Sequence, residues 1–318
     1  MAEDVGKRGP GPGDGTGVDL AGLIALRQEA RRLRLVPRGK VLATQSGGHL
    51  SRFRGRGMEF DESRVYQPGD DPRYMDWRVT ARSRQPHVKL FREERERPVW
   101  LVVDQGESMR FGSRVAFKSV VAARAAAVLA WAAVEQGDRV GGRVFDAHCS
   151  CTRVPAPGER GVLPLLGALA GTAGAAPAAG HPDIATAGRE LPALVRQGSL
   201  VVLVSDFAGI DADTDGWLGR LARTSEVLLL FVYDPLEVEP PPPGLYPASD
   251  GRRRGLLDTA GAELCAAWRG RHQRRLETLG RLARRHRLHL VSLATDQPVG
   301  ATLAAGLEPG WRPHRGGG

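Results

Sequence analysis

Three aspartates in this sequence each follow an apolar run of the length of a buried strand. Asp104 ends the run VWLVVD, Asp206 follows LVVLVS and Asp234 follows LLLFVY. Ligands of open α/β sheets bind beyond the carboxyl ends of the strands, where adjacent loops diverge. Carboxylates with nearby hydroxyls suit Mg²⁺ or Mn²⁺. We therefore expect Asp104, Ser108 and Asp206 as metal ligands; the alternative is that these residues cap the helices that follow.

Other site chemistries find less support in the motifs. The glycines of Gly55–Phe60 do not lie between an apolar strand and a helix, and there is no Walker-type lysine motif, so we expect no nucleotide cofactor. His148, Cys149 and Cys151 lack a second ligand pair at a spacing typical of zinc. Ser205 lies at a strand end without the marks of a nucleophile elbow. A metal-dependent hydrolase that uses the strand-end acids is kept as the last alternative.

The elements that must position these acids alternate from residue 98 onward. Strand-length apolar runs include RVGGRVFD and LHLVSLATD, and helices are predicted at about 113–136, twice within 159–196, near 217–223 and at about 262–286. The stretch before residue 159 is predicted to be a Pro- and Gly-rich loop. Strands that are apolar throughout indicate a parallel sheet covered on both faces. We expect an α/β fold with a doubly wound, mainly parallel sheet of about five strands.

The remaining regions complete the predicted organisation. Pro240–Pro243 form a stiff linker, and LYPAS and RRRGLLD predict a hairpin turning at Asp250-Gly251. The predicted regions are a disordered tail (1–17), an amphipathic helix (18–36), an irregular segment of short strands and turns (37–98), the α/β domain (99–306) with its insertion (about 235–261), and a second disordered tail (307–318).

Composition bears on the partner and the compartment. The net charge is +9 and the pI about 10.1, which favours polyanions, and Arg252–Arg254 and Arg269–Arg275 motivate a nucleic-acid-associated protein as the second hypothesis. However, lysines are few and the arginines occur in mixed-charge runs, so nucleic acid is not the expected partner. Three cysteines do not suggest a disulfide framework. A reducing compartment is the simpler assumption, so we expect a cytoplasmic location. Without a run of about 20 apolar residues we expect no membrane span.

The segment before and through the first strand carries a family resemblance. GRGMEFDESRVYQPGDDPRYMDWRVTARSRQPHVKLFREERERPVWLVVDQGESMRFGS resembles the signature of the bacterial domain-of-unknown-function 58 family, and the similarity extends from about Gly47 to at least Asp206. The resemblance implies a von Willebrand factor A-like fold. It also implies a non-enzymatic, chaperone-like or assembly protein that binds a MoxR-type AAA+ ATPase and a client whose identity the sequence does not reveal.

The same resemblance implies a metal-ion-dependent adhesion site, which this sequence matches only in part. Such sites combine Asp-x-Ser-x-Ser with a Thr and an Asp from two other loops. Asp104, Ser108 and Asp206 match, whereas Gly106 replaces the middle serine and Pro182-Asp183 stands at the second loop. We therefore expect a degenerate site that binds Mg²⁺ or Mn²⁺ weakly. The basic helix after the prolines is an alternative surface for the partner.

The signature block itself is rich in charges of both signs. We interpret its acids and arginines as internal ion pairs rather than as a direct partner contact, and expect Trp77, Tyr66 and Phe60 to be core residues. The partner-contact or structural candidates are Arg64, Tyr66, Gly69, Asp70, Asp71, Arg73, Asp76, Trp77 and Arg82.

Overall fold

A computed structural model of the 318-residue chain describes residues 15–35, 58–67, 70, 72–93, 96–146, 150–172, 183–249 and 254–307. The chain divides into two compact units, one made of residues 1–40 and 97–318 and the other of residues 41–96. The two disordered tails are predictions about residues that lie mostly outside the described ranges. Residues 15–17 are described, and the Gly15 carbonyl accepts a hydrogen bond from the Phe117 amide at 2.8 Å.

The described helices and strands are as follows. The helices are α1 (Leu20–Ala25), α2 (Arg27–Ala30), α3 (Trp77–Ser83), α4 (Lys118–Glu135), α5 (Glu159–Thr172), α6 (Ile184–Leu194), α7 (Thr214–Ala222), α8 (Pro235–Val238), α9 (Ala262–His286) and α10 (Val299–Leu307). The strands are β1 (Met58–Val65), β2 (His87–Glu93), β3 (Pro98–Asp104), β4 (Arg139–Phe145), β5 (Ser150–Pro157), β6 (Leu200–Ser205), β7 (Glu226–Tyr233), β8 (Leu245–Ser249), β9 (Arg254–Asp258) and β10 (His289–Ala294). Short 3-10 helices occur at Pro72–Tyr74 and Glu107–Met109.

A six-stranded sheet forms the centre of the larger unit, in the order β10-β7-β6-β3-β4-β5. All neighbouring strands are parallel except β4 and β5. The expected α/β class and mainly parallel sheet are therefore confirmed. The prediction of a loop before residue 159 is wrong, because Ser150–Pro157 forms the antiparallel edge strand β5. Its prolines and polar residues suit an edge strand, where one side of the backbone has no ladder partner.

Helices cover both faces of this sheet. Buried side chains from α1, α2, α4, α5 and α10 form the core on one face, and those from α6, α7 and α9 form the core on the other. Helix α4 is buried nearly all round, which explains why its sequence is alanine-rich rather than amphipathic. It begins at Lys118, five residues later than predicted.

The single amphipathic helix expected over residues 18–36 is instead two short helices, α1 and α2, followed by non-helical chain. Gln136, at the end of α4, explains the departure from helix. Its side-chain carbonyl accepts from the Leu35 amide at 3.1 Å, and its amide donates to the Leu33 carbonyl at 3.3 Å. Both leucines are buried in the core in this arrangement.

The predicted hairpin within the insertion is confirmed as the antiparallel pair β8 and β9, while Asp250 and Gly251 lie outside the described residues. The smaller unit contains the antiparallel pair β1 and β2, with α3 between them in the chain. A helix was not expected in this segment. No helix in the described ranges is long and apolar enough to cross a membrane.

Candidate functional site

Asp104 and Asp206 lie at the switch point of the sheet, between two neighbouring strands whose following helices pack on opposite faces; we call this place the crevice. β3 and β6 are neighbours, yet the helices that follow them, α4 and α7, pack on opposite faces. The loops after the two strands therefore diverge at the carboxyl edge, which is where open α/β sheets place their ligand sites. Asp104 ends β3, and Asp206 directly follows β6. The sequence-based placement of both residues at one sheet edge is consistent with this topology.

Asp104 is almost fully buried at this switch point, with 6% of its surface exposed. One carboxylate oxygen accepts from the Ser205 hydroxyl at 2.6 Å, and the other accepts from the Gly106 amide at 2.8 Å. The pKa of Asp104 is raised to about 7: burial is the largest cause and the nearby Asp206 carboxylate adds to it, while the two hydrogen bonds and the Lys118 charge offset part of the rise. Asp104 thus exchanges its proton near neutral pH.

Asp206 is held by a buried lysine that the sequence analysis did not identify. The Lys118 ammonium lies 2.7 Å from Asp206 Oδ2 and 2.7 Å from Glu237 Oε1. Asp206 Oδ1 accepts from the Ser108 hydroxyl at 3.2 Å and from the Ala208 amide at 2.9 Å. Ser108 and Asp206 therefore meet, as expected, while the other oxygen of Asp206 pairs with an ammonium group.

The third strand-end acid, Asp234, ties the neighbouring loops together. Its carboxylate accepts from the amide and hydroxyl of Ser113, from the Thr295 hydroxyl and from the Leu236 amide. Burial alone would raise the pKa of Asp234, but these hydrogen bonds outweigh burial and lower it below its ordinary value. Asp234 also begins α8 with a capping box, in which Glu237 accepts from the Asp234 amide.

These contacts decide how well the expected ligands fit a divalent cation. Each oxygen of Asp104 and Asp206 already accepts a hydrogen bond from the protein, and Lys118 supplies the positive charge beside Asp206. Mg²⁺ requires near-octahedral coordination by about six oxygens. Among the described residues, no group of three or more His, Cys, Asp and Glu is arranged to hold a metal ion. Asp104, Ser108 and Asp206 as arranged here do not fit Mg²⁺ or Mn²⁺.

The loop after Asp206 is bent by an unusual residue. Phe207 is buried and has a φ of 51°, a conformation that bulky side chains rarely adopt and that costs on the order of 1–3 kcal/mol. Its amide donates to Ser205 Oγ at 2.9 Å, which fixes the hydroxyl that binds Asp104. Asp183, expected in the second loop, caps α6 by accepting from the Thr186 amide, and a Cβ atom at Gly209 would lie 2.9 Å from the Asp183 Cβ. The second loop thus approaches the loop after β6.

The loop from β3 to α4 crosses the carboxyl ends of several strands. Ser113 bonds to Asp234 after β7, and the Arg114 guanidinium lies 3.0 Å from Asp296 after β10. On this anchored loop, Phe111 is 39% exposed and Val115 is 59% exposed. The crevice rim, which we define as residues 107–115, therefore presents apolar side chains on a fixed backbone.

In the smaller unit the structure describes one ion pair between signature residues, and a second signature acid that is held by neutral donors. Arg64 lies 2.7 Å from Asp70, and the Gln67 amide together with Arg64 lowers the pKa of Asp70. Asp76 is buried, accepts from the Ser63 hydroxyl at 2.8 Å and caps α3 through the amides of Arg78 and Val79. These contacts support the structural interpretation of these acids.

Other signature residues differ from the expectation or lie outside it. Trp77 is 70% exposed, so its prediction as a core residue is wrong: it starts a short helix that buries none of its residues, and the acid before it is buried instead. Tyr66 is partly buried, and Arg73 and Arg82 are exposed. Gly69, Asp71 and the Phe60 side chain lie outside what the structure describes, as do His148 and Cys149.

The basic helix considered for polyanions is α9, which carries seven arginines. Two of them already pair within the protein: Arg269 with Glu239, and Arg285 with Asp215 at 2.9 Å. Arg254 begins β9, whereas Arg252 and Arg253 lie outside the described residues. Part of the positive charge that motivated nucleic-acid binding is therefore neutralised internally.

Fold and site together define a mixed α/β protein with a mostly parallel six-stranded sheet, helices on both faces and a closed polar network at its carboxyl edge. Comparison with known proteins identifies the family. The family described as "Protein of unknown function DUF58" matches residues 62–288, and the chain belongs to it. The resemblance drawn from the signature block is confirmed.

Several curated relatives are described as uncharacterized proteins. Uncharacterized proteins of Mycobacterium bovis and Mycobacterium tuberculosis are 38% identical over 218 residues, which cover 67% of this chain and 67% of each relative. A solved structure of the conserved hypothetical protein BatB from Bacteroides thetaiotaomicron is 15% identical, with a TM-score of 0.41, and the match covers 66% of this chain and 95% of that one.

Proposed function

We propose that this chain is a non-enzymatic, cytoplasmic protein-binding adaptor or assembly factor that works with a MoxR-type AAA+ ATPase. The proposal takes its partner class from the family resemblance of the signature block. The sheet supports the von Willebrand factor A-like part of the proposal, because β3 lies centrally and the only antiparallel pair in it is at an edge.

One observation carries the choice of binding over catalysis. The acids of the carboxyl edge have their oxygens occupied by hydroxyls, amides and one ammonium of the same chain. General bases and nucleophiles need a group within reach of a substrate atom. A carboxylate network that is already satisfied shapes and stiffens loops instead. The rim that these loops present, with Phe111 and Val115 exposed, is the surface we assign to the ATPase.

The rim suits a protein partner in its chemistry. Exposed aromatic and aliphatic side chains on a backbone that does not have to be ordered on binding lose little conformational entropy. Arg114 adds a guanidinium that is 65% exposed at its side chain, although it pairs with Asp296. Aromatic residues and arginines are enriched where binding energy concentrates in protein interfaces.

The experiment is recovery of the tagged full-length chain from its native cells in ATP and Mg²⁺, with quantification of co-purified proteins and nucleic acid. We expect a MoxR-type ATPase with the wild type and a loss of about tenfold or more in Val115→Glu, because a buried carboxylate at the interface costs more than 1.4 kcal/mol. The matched control is Val154→Glu, since Val154 is 77% exposed on the edge strand β5.

Three results would contradict the proposal in different ways. Equal recovery of the ATPase by both variants would move the interface away from the rim. Recovery of nucleic acid alone, with salt-sensitive binding to random duplex DNA, would favour the basic alternative. Turnover of phosphate or ester substrates that disappears in Asp104→Ala would favour a hydrolase.

A further inference from the structure

We infer that Lys118 is the resident cation of the carboxyl-edge crevice and takes the place of the divalent ion that adhesion sites of this kind hold. The inference does not depend on which partner binds the rim.

Burial and charge support this role for Lys118. Its side chain is 1% exposed, and so is that of Asp206, which it contacts. An ammonium removed from water must be compensated by opposite charge, and here Asp206 and Glu237 provide it at equal distances of 2.7 Å. The centroid of the Phe111 ring lies 6.0 Å from the ammonium nitrogen, which is positioned over the ring. The cation is thus enclosed by groups that stabilise positive charge.

Lys118 joins three loops at the carboxyl edge of the sheet, and two of them carry the expected metal ligands. Asp206 belongs to the loop after β6, and Glu237 lies in α8 after β7. Lys118, at the start of α4, connects both to the loop that follows β3. One ammonium therefore links the loops after three neighbouring strands of the sheet.

The same geometry opposes a second cation. A divalent ion bound to Asp206 would lie about 2.1 Å from a carboxylate oxygen. Asp206 Oδ2 is already 2.7 Å from the ammonium, and Oδ1 accepts two hydrogen bonds. A metal ion here would face a positive charge within a few ångströms in a site with little water to screen it.

The test is Mn²⁺ binding to the purified full-length chain, measured by the electron paramagnetic resonance signal of free Mn²⁺, with Tm followed in parallel in Mg²⁺. For the wild type we expect no bound Mn²⁺ up to about 1 mM, the weak end of cation affinities in proteins, and no change in Tm. In Lys118→Met the unpaired Asp206 and Glu237 should accept a cation, which gives at least about tenfold tighter Mn²⁺ binding than wild type. Adding Asp206→Asn should abolish that gain.

Arg124→Met is the matched control, because Arg124 lies on the same helix but makes no described contact with the crevice acids, and it should behave as the wild type. Stoichiometric binding of Mn²⁺ by the wild type that is lost in Asp206→Asn would overturn the inference. This comparison does not require a Lys118 variant that folds. A folded Lys118→Met protein that gains no affinity for Mn²⁺ would also overturn it.

Discussion

The buried carboxyl of Asp104 predicts a specific dependence of stability on pH. Burial raises its pKa from 3.8 to about 7 in the folded chain. Because the folded-state pKa lies above that of the unfolded chain, the folded state holds the proton more tightly. The resulting stabilisation is fully present below about pH 4, decreases as the pH rises between the unfolded-state and folded-state pKa values, and is gone above about pH 7.

The size of the effect follows from the two pKa values. Each pKa unit corresponds to about 1.4 kcal/mol, so the whole interval corresponds to roughly 4 kcal/mol, of which about 2–3 kcal/mol falls between pH 5 and pH 8. Asp104→Asn removes the ionisable group and keeps a similar shape and an oxygen acceptor. The free energy of unfolding of the variant minus that of the wild type should therefore rise by about 2–3 kcal/mol from pH 5 to pH 8.

Urea unfolding followed by tryptophan fluorescence at a series of pH values measures this difference. Asp213→Asn is the control, because the Asp213 side chain is 76% exposed, makes no cap hydrogen bond, and has only a solvent-exposed ion pair with Arg189 at 3.6 Å. That variant should run parallel to the wild type. If the Asp104→Asn and wild-type curves are also parallel between pH 5 and pH 8, the account of Asp104 as a proton-exchanging buried acid is refuted.

Three further changes test the packing of the site and of each unit. Lys118→Met should lower the free energy of unfolding by about 3–5 kcal/mol, since it leaves Asp206 buried without its counter-charge. Adding Asp206→Asn to the same chain should recover part of this loss in urea unfolding. If the second substitution recovers none of it, Lys118 and Asp206 do not form a direct pair. Gly142→Ala should lower the free energy of unfolding by about 1–3 kcal/mol or more, because a Cβ atom at this position would lie 2.1 Å from the Leu101 carbonyl oxygen. An unchanged midpoint of urea unfolding would contradict the close approach of β4 to β3 at Gly142. Asp76→Ala should lower the free energy of unfolding by about 1–2 kcal/mol, because it removes the cap of α3. Hydrogen exchange of the amides at the start of that helix should become faster, and unaltered exchange there would rule out the cap.

The larger part of the fold could be predicted because its signals are local. Apolar runs of strand length and their alternation with helices located every parallel strand of the sheet. β5 was not predicted, because its residues are mostly exposed and include prolines, so its own sequence shows no strand pattern. It is a strand because it pairs with β4. The predicted N-terminal helix was too long, because Leu33 and Leu35 fit a helical period but are held outside a helix by hydrogen bonds to Gln136.

The candidate site could be predicted only in part. Asp104, Ser108 and Asp206 were placed at one edge because strand ends of a parallel sheet meet there. Lys118 was missed although it is one of few lysines in the chain and the one cation at the head of an apolar helix, a signal that would have identified it. Its partner Glu237 carries no such signal, because only the tertiary fold brings α8 beside α4.

The adaptor function requires direct binding between the purified chain and the MoxR-type ATPase of its own organism. With the chain immobilised and the ATPase titrated in ATP and Mg²⁺, the account predicts saturable binding that Val154→Glu preserves and Val115→Glu weakens by about tenfold or more. No saturable binding of the ATPase by the folded wild-type chain would contradict the adaptor function.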